Sequence, residues 1–310
     1  MGSDEVVELF QAIRQSSEET IQVALLNPTY SLPWGLIYDF EFDEDALATL
    51  PVCKGWDDTD RPCQCKPDTG EKVCLRGFWG FRHRIEQLCG QRDSNPVEIK
   101  VIADNPTDPP IALMRGIDDV FTRRLEVVLR TATPSIQKVA MPSRFLELYG
   151  GAVSRPSVIV VLAHLEQKDV EDAATARLVN EDNSTLLSVH QLGSDLRNLE
   201  KHWVQPRSLV FLLACGSGQQ SPVTGVGLAG ALVRLKATGV IGTECAVYTG
   251  IASRIAKDVL ERMKAPPSTP DLEGESVGDA LRKAVRALAL EGCPLGLAFT
   301  YVGSIDARLP

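Results

Sequence analysis

Nowhere in its 310 residues does the chain carry an apolar run long enough to cross a bilayer, which takes about 20 residues as a helix. It also lacks a basic excess. Its 32 Lys and Arg stand against 41 Asp and Glu, a net charge of −9, which argues against a nucleic-acid-binding surface, since phosphate neutralisation needs basic patches. Arg82-His83-Arg84 is only a local cluster. The first residues are acidic and polar and show no secretory signal. Eight cysteines are too few for a disulfide scaffold in a chain of this size, and no internal repeat is present. These absences set the expectation of a cytoplasmic protein in a reducing compartment, without direct nucleic-acid or membrane binding. Cysteines in that setting serve metals or catalysis more often than crosslinks.

Two short apolar runs are the most informative features present. Ser157-Val158-Ile159-Val160-Val161-Leu162-Ala163 leads into His164, and Ser208-Leu209-Val210-Phe211-Leu212-Leu213-Ala214 leads into Cys215-Gly216-Ser217-Gly218. Neither run alternates with polar residues, the pattern of strands buried on both faces of a parallel sheet. Chemistry in such sheets sits beyond the carboxyl ends of the strands, so His164 and Cys215 are expected at one edge. A thiol needs a neighbouring base to act as a thiolate near neutral pH. The Gly-Ser-Gly after Cys215 opens backbone N–H groups toward the strand tip, as an oxyanion hole requires. An inert core cysteine and a hydrogen-bonded structural histidine are the plain alternatives. His83, His190 and His202 are the remaining histidines; the last two flank a predicted helix and read as surface residues.

Around these runs the pattern is α/β. A helix is expected to about residue 20 and a strand at 21–26. From residue 97 strands and helices alternate: strand 97–103, helix 112–130, strand 136–140, helix 142–150, the histidine strand, helix 188–199, the cysteine strand, helix 226–236, strand 239–243, helices 247–263 and 275–291, and strand 297–302. Such alternation predicts a mainly parallel sheet with right-handed crossovers. Gly225-Val226-Gly227-Leu228-Ala229-Gly230, with Glu244 19 residues beyond Gly225, matches a dinucleotide-binding pattern. That fingerprint needs its first glycine in the tight turn directly after a strand, and the loop from Ala214 to Gly225 is too long.

Cys53, Cys63, Cys65 and Cys74 lie in a Pro-, Gly- and Asp-rich stretch spaced C-x9-C-x-C-x8-C. Four thiolates can close a tetrahedral structural zinc site, and a metal would supply folding energy to a loop with little apolar material. A solvated loop with incidental thiols is the alternative. Cys89, Cys245 and Cys293 read as core or helix-end residues. No cofactor is expected for catalysis.

Several segments, in order over most of the chain, resemble the CHAT domain, a caspase-related peptidase module of bacterial and archaeal signalling proteins. They are Leu32-Pro33-Trp34-Gly35-Leu36-Ile37-Tyr38-Asp39, Lys100-Val101-Ile102-Ala103-Asp104-Asn105-Pro106, the histidine and cysteine strands, Gly239-Val240-Ile241-Gly242-Thr243 and Phe299-Thr300-Tyr301-Val302-Gly303. A histidine about 50 residues before the cysteine is the caspase order. Two positions depart: Leu165 stands where the family has Gly, and Gly35 where it has an acidic residue. The resemblance implies a caspase-like three-layer sandwich, with an N-terminal portion at 1–94 carrying a Cys-rich insertion at 51–77, and a catalytic core at 95–310. It implies a cysteine endopeptidase in which a Cys215/His164 dyad suffices and the N–H groups near Leu165, Cys215 and Gly216 hold the oxyanion. The substrate would be a protein or peptide. Activation would come from a partner, such as a sensor or TPR-type chain, in a prokaryotic signalling or antiviral defence pathway. A non-catalytic adaptor binding a partner through the same cleft is the rival reading, supported by Leu165.

Overall fold

The computed structural model describes residues 3–16, 18–24, 32–41, 49–53, 65, 70–88, 111–118, 120–132, 136–139, 156–166, 176–195, 207–214, 227–234, 237–264 and 274–309. The expected strand 97–103 and helix 142–150 lie outside them, as do Cys63, Cys89, Cys215, Gly216, His202 and Gly225.

The strands are β1 Thr20–Ala24, β2 Arg84–Leu88, β3 Ile111–Arg115, β4 Ile136–Val139, β5 Val158–Leu162, β6 His164–Glu166, β7 Arg177–Val179, β8 Thr185–Ser188, β9 Arg207–Leu213, β10 Ala237–Thr243 and β11 Phe299–Gly303. The helices are α1 Ser3–Gln15, α2 Trp79–Arg82, α3 Val120–Ala132, α4 Val189–Asp195, α5 Leu228–Arg234, α6 Thr249–Met263 and α7 Val277–Leu290. Eight strands form one sheet in the order β1-β2-β11-β10-β9-β5-β3-β4, and β6, β7 and β8 form a separate antiparallel sheet. Within the large sheet every pairing is parallel except β10 with β11.

The sheet is mainly parallel because its central strands have no polar face. Every residue of β5 is buried, and so is every residue from Ser208 to Leu213 of β9. Successive side chains point to opposite faces, and both faces are filled. Leu113, Val158, Val160, Leu162, Leu209, Phe211, Leu213 and Ile241 pack with α3, α6 and α7. Ala112, Met114, Ile159, Val161, Val210, Leu212 and Val240 pack with α5, Leu192 of α4 and the leucines of the small sheet. Each buried Val, Ile or Leu contributes roughly 1.5–3 kcal/mol, so this two-faced packing dominates the energetics of the centre. α7 starts where Ser276 caps it: the Asp279 N–H donates to Ser276 Oγ (3.3 Å), and the Ser276 hydroxyl donates to the Asp279 carboxylate (3.0 Å). Among the described residues no helix is long and apolar enough to cross a membrane.

One boundary differs from expectation. The predicted helix 112–130 is a strand, β3, followed by α3 from Val120. Ile111-Ala112-Leu113-Met114 is a continuous apolar run buried on both sides, and pairing with β4 and β5 outweighs its helix propensity. The small sheet was not anticipated at all. Its β7–β8 hairpin turns through Asn180-Glu181-Asp182-Asn183-Ser184, with Asn183 at φ 62°, a turn composition that marks hairpins.

The N-terminal segments extend the sheet and are locked by polar groups. The Trp79 N–H donates to Ile37 O (2.9 Å) and the Asp39 N–H to Gly77 O (3.1 Å). Trp34 stacks on Trp79 with ring centroids 6.3 Å apart. Gly35 and Gly80 meet backbone to backbone: a Cβ on Gly80 would fall 2.8 Å from the Gly35 Cα, and one on Gly35 would fall 3.1 Å from Leu297 O. A side chain at position 35 would press on the Leu297 carbonyl. Arg82, 2% exposed, donates to the Asp39 carboxylate and to Arg76 O (2.8 Å), and Trp79 Nε1 donates to the same Asp39 oxygen (3.0 Å).

Asp39→Ala should therefore strand a buried guanidinium. The expected cost is about 3–5 kcal/mol, read as a lower midpoint in urea unfolding. A loss under about 1 kcal/mol would mean that Arg82 has compensation other than Asp39.

Candidate functional site at the carboxyl edge of the sheet

Register brings four strand ends level. Arg115 of β3 pairs with Leu162 of β5, and Leu162 with Leu213 of β9. β10 pairs with β9 through Ile241 and Phe211, so Thr243 ends level with Leu213. Beyond these ends lie Gly116, Ala163-His164, Ala214 and Glu244-Cys245. Strand order reverses between β3 and β5: one neighbour in sequence, β4, lies outward of β3, while β9 and β10 follow β5 in the other direction. Open α/β sheets bind ligands at such a reversal, outside the carboxyl ends.

Local hydrogen bonds shape this edge. The Gly116 N–H donates to Leu162 O (2.6 Å), and Glu181 N–H to Gly116 O (3.1 Å). A Cβ at Gly116 would sit 2.5 Å from Leu186 Cδ1 and 3.0 Å from Leu162 O, so a side chain there would press on both. Thr243 Oγ1 donates to Ala214 O (2.8 Å), holding the residue that precedes Cys215. Sequence reading missed Thr243 and Gly116; a glycine one residue past the apolar run Ile111–Met114 was the available signal for the second. Arg115 is engaged by Asp118 (2.8 Å) and Glu126 (3.2 Å), carboxylates that also pair with Arg123, Arg130 and Lys138. Arg207 begins β9 and lies at the opposite end of that strand.

His164 does not trail off as a strand tip. It opens β6, opposite Val179 of β7. Its side chain is exposed, while Leu165 is half-buried and packs against the second core cluster with Leu178. Strand alternation therefore turns Leu165 inward and His164 outward. Arg177 donates twice to Glu166 (2.7 and 3.0 Å), tying β6 to β7. Cys215 and Gly216 lie outside the described residues. What the described chain provides is the positions just before them: Ala163 and Ala214 follow the register pair Leu162 and Leu213, and both are buried.

The other histidines differ. His190 is exposed. His83 is 1% exposed and accepts from Arg82 Nε (2.7 Å). Burial first, then the adjacent Arg82 and Arg282, lowers its pKa to about 4, so it stays neutral. Glu244, the acid of the dinucleotide pattern, is turned toward Thr300 and Gln87, and burial raises its pKa to about 7 against their hydrogen bonds. Gly227 and Gly230 are buried at and inside α5, not in a turn directly after a strand. Cys245, expected in the core or at a helix end, is exposed in the turn after β10; the sharp descent from Thr243 toward α6 leaves it outside the packing. Cys293, half-buried, follows the end of α7.

Of the four clustered cysteines, Cys53, Cys65 and Cys74 bring their sulfurs within 4.8 Å of one another. Cys63 lies outside the described residues.

Gingipain R, an Arg-specific cysteine proteinase, overlays 99% of this chain and 68% of its own with a TM-score of 0.54 at 10% identity. The fold is caspase-like. Separase of the Saccharomyces cerevisiae separase–securin complex matches 63% of this chain but 12% of its own, with a TM-score of 0.42 at 15% identity. The Porphyromonas gingivalis complex of RgpB pro- and mature domains matches 65% of this chain and 48% of that one, with a TM-score of 0.42 at 14% identity. The fold assignment rests on the gingipain overlay. No protein-family model matches the chain, and no curated protein matches it in sequence.

The two displaced pKa values have opposite signs in stability. His83 has a lowered folded pKa, so stability is complete above 6.5 and is lost as pH falls toward 4. Glu244 has a raised folded pKa, so stability is complete below 4.5 and is lost as pH rises through 7. The contributions oppose each other between pH 4 and 7. His83→Gln should make stability fall with rising pH across that window, and Glu244→Gln should make it rise. Urea midpoints measured at several pH values check both, and unchanged slopes in both variants would reject these environments.

Proposed function

We propose that this chain is a cysteine endopeptidase of the CHAT type, cleaving a protein substrate through Cys215 and His164. The observation that carries the reading is the pairing of β5 with β9. The two strands whose next residues are Ala163-His164 and Ala214-Cys215 are parallel neighbours, with Leu162 opposite Leu213. Two segments about 50 residues apart thus deliver a nucleophile and a base to one edge, beside the reversal in strand order. The caspase-like fold and the order of the CHAT-like segments support the same assignment.

In this mechanism His164 takes the proton of Cys215, and the thiolate attacks the peptide carbonyl. The N–H groups of Leu165, Cys215 and Gly216 hold the oxyanion. His164 returns the proton to the leaving amine, and water then hydrolyses the thioester. The exposed position of His164 leaves it open to a substrate. Leu165 supports this role through its backbone, because its side chain is turned into the core. A partner protein in a prokaryotic signalling or defence pathway would switch the activity on.

Peptide-library cleavage, with and without candidate activators, combined with a thiol-directed activity probe, tests the proposal. Cys215→Ala and His164→Ala should each lower cleavage by on the order of 10³-fold or more, and the double variant little further, as for residues that act as a unit. Probe labelling should require both residues. Cys245→Ala, which removes the exposed thiol after β10, should leave both readouts unchanged. Full activity in either dyad variant refutes the assignment; binding of a partner without probe labelling favours the adaptor.

A further inference from the structure

We propose that Cys53, Cys65 and Cys74 are ligands of one zinc ion that clamps the N-terminal segment to the β2 side of the sheet. Three observations converge on this. The first is the sulfur geometry. All three lie within 4.8 Å of one another, although 12 and 9 residues separate them in the chain. Zn–S bonds of about 2.3 Å in a tetrahedron place sulfurs roughly 3.8 Å apart, so shifts well under the length of a bond would bring these three to the spacing of ligands on one ion.

The second is how the backbone builds it. Val52 and Val73 form a parallel bridge; the Cys53 N–H donates to Val73 O (2.9 Å) and Val73 N–H to Pro51 O (3.1 Å). Cys53 and Cys74 each follow a bridged residue, so they emerge side by side. Both are buried, Cys74 completely. The described Val52–Val73 bridge is a small amount of secondary structure to hold two segments in register, and three soft ligands meeting behind it would add free energy when they bind an ion.

The third is what the cluster touches. The Cys74 N–H donates to Tyr38 Oη (3.2 Å), and the Tyr38 ring lies on Phe78 with centroids 4.9 Å apart. Tyr38 is followed by Asp39, which holds Arg82. The ion would therefore fix the two segments that set the buried Asp39–Arg82 pair. β11, β10 and β9 stand between β2 and β5, so the site belongs to a different part of the sheet from the dyad.

Thiolates select zinc among the common divalent ions, and these three sulfurs would fill three corners of its tetrahedron, with one corner left for a further ligand. Binding releases the thiol protons to solvent as each sulfur becomes a thiolate. Elemental analysis of the full chain, expressed in zinc-supplemented medium and purified without chelator, should find about one zinc per chain. A strong chelator should release it, make the three thiols reactive toward a thiol reagent, and lower the thermal midpoint. Cys74→Ser should abolish retention. Should that variant fail to fold, cobalt(II) added to the chelated wild-type chain gives a second readout, the strong visible bands of a tetrahedral thiolate site. Cys215→Ala should keep its zinc, which separates this proposal from the peptidase reading. Wild-type protein without metal that also shows no cobalt bands overturns the proposal, as does a disulfide among these cysteines in native protein.

Discussion

The structure depends on one constraint: β3, β5, β9 and β10 are parallel, in register and apolar on both faces. A parallel strand buried on both sides cannot slip by one residue without moving its side chains between two different packed layers. Leu113, Val160, Phe211 and Ile241 would leave the layer of α3, α6 and α7 and enter that of α5 and the small sheet, where smaller groups such as Ala112, Ala229 and Ala237 set the spacing. Register is therefore strongly specified, and with it the level at which four chains leave the sheet. The position of His164 relative to Ala214 is a consequence of core packing several residues away.

That edge is finished by a few polar contacts and one small residue. Thr243 fixes the carbonyl of Ala214, and Gly116 lets the chain after β3 pass close beneath Leu186 and accept from Glu181. The antiparallel sheet begins at His164 itself, so the residue belongs to two structures: its backbone is tied to β7, while β5 sets its starting point. A residue held on a paired strand is more firmly placed than one on a free loop, because packing has already fixed its backbone.

The N-terminal part shows a different economy. It carries less apolar material and relies on buried polar pairing, aromatic stacking and backbone contact at Gly35 and Gly80. A buried ion pair gives little net stability but strongly penalises its own disruption. Such a pair specifies one docking of the Trp34–Asp39 segment rather than merely strengthening it. Convergence of Cys53, Cys65 and Cys74 beside Tyr38 extends this logic outward from Asp39 and Arg82.

Much of the fold was legible in local sequence. Unbroken β-branched and Leu runs marked β5 and β9 because burial on both faces leaves no polar periodicity, and α6 and α7 were expected at 247–263 and 275–291 within the alternation of strands and helices. Sequence alone also determined which side chains stand next to the strand ends, His164 and Cys215, and the spacing of the four cysteines. It could not determine β3, since Ile111–Met114 is too short for periodicity to separate strand from helix, and only pairing with β5 decides it. Nor could it place the small sheet, whose three short strands gain their stability from Leu178, Leu186 and Leu187 meeting the large sheet. The outward turn of His164, the burial of His83 and Glu244, and the meeting of three sulfurs were decided by tertiary structure. Each depends on residues far apart in the chain, which no local pattern encodes.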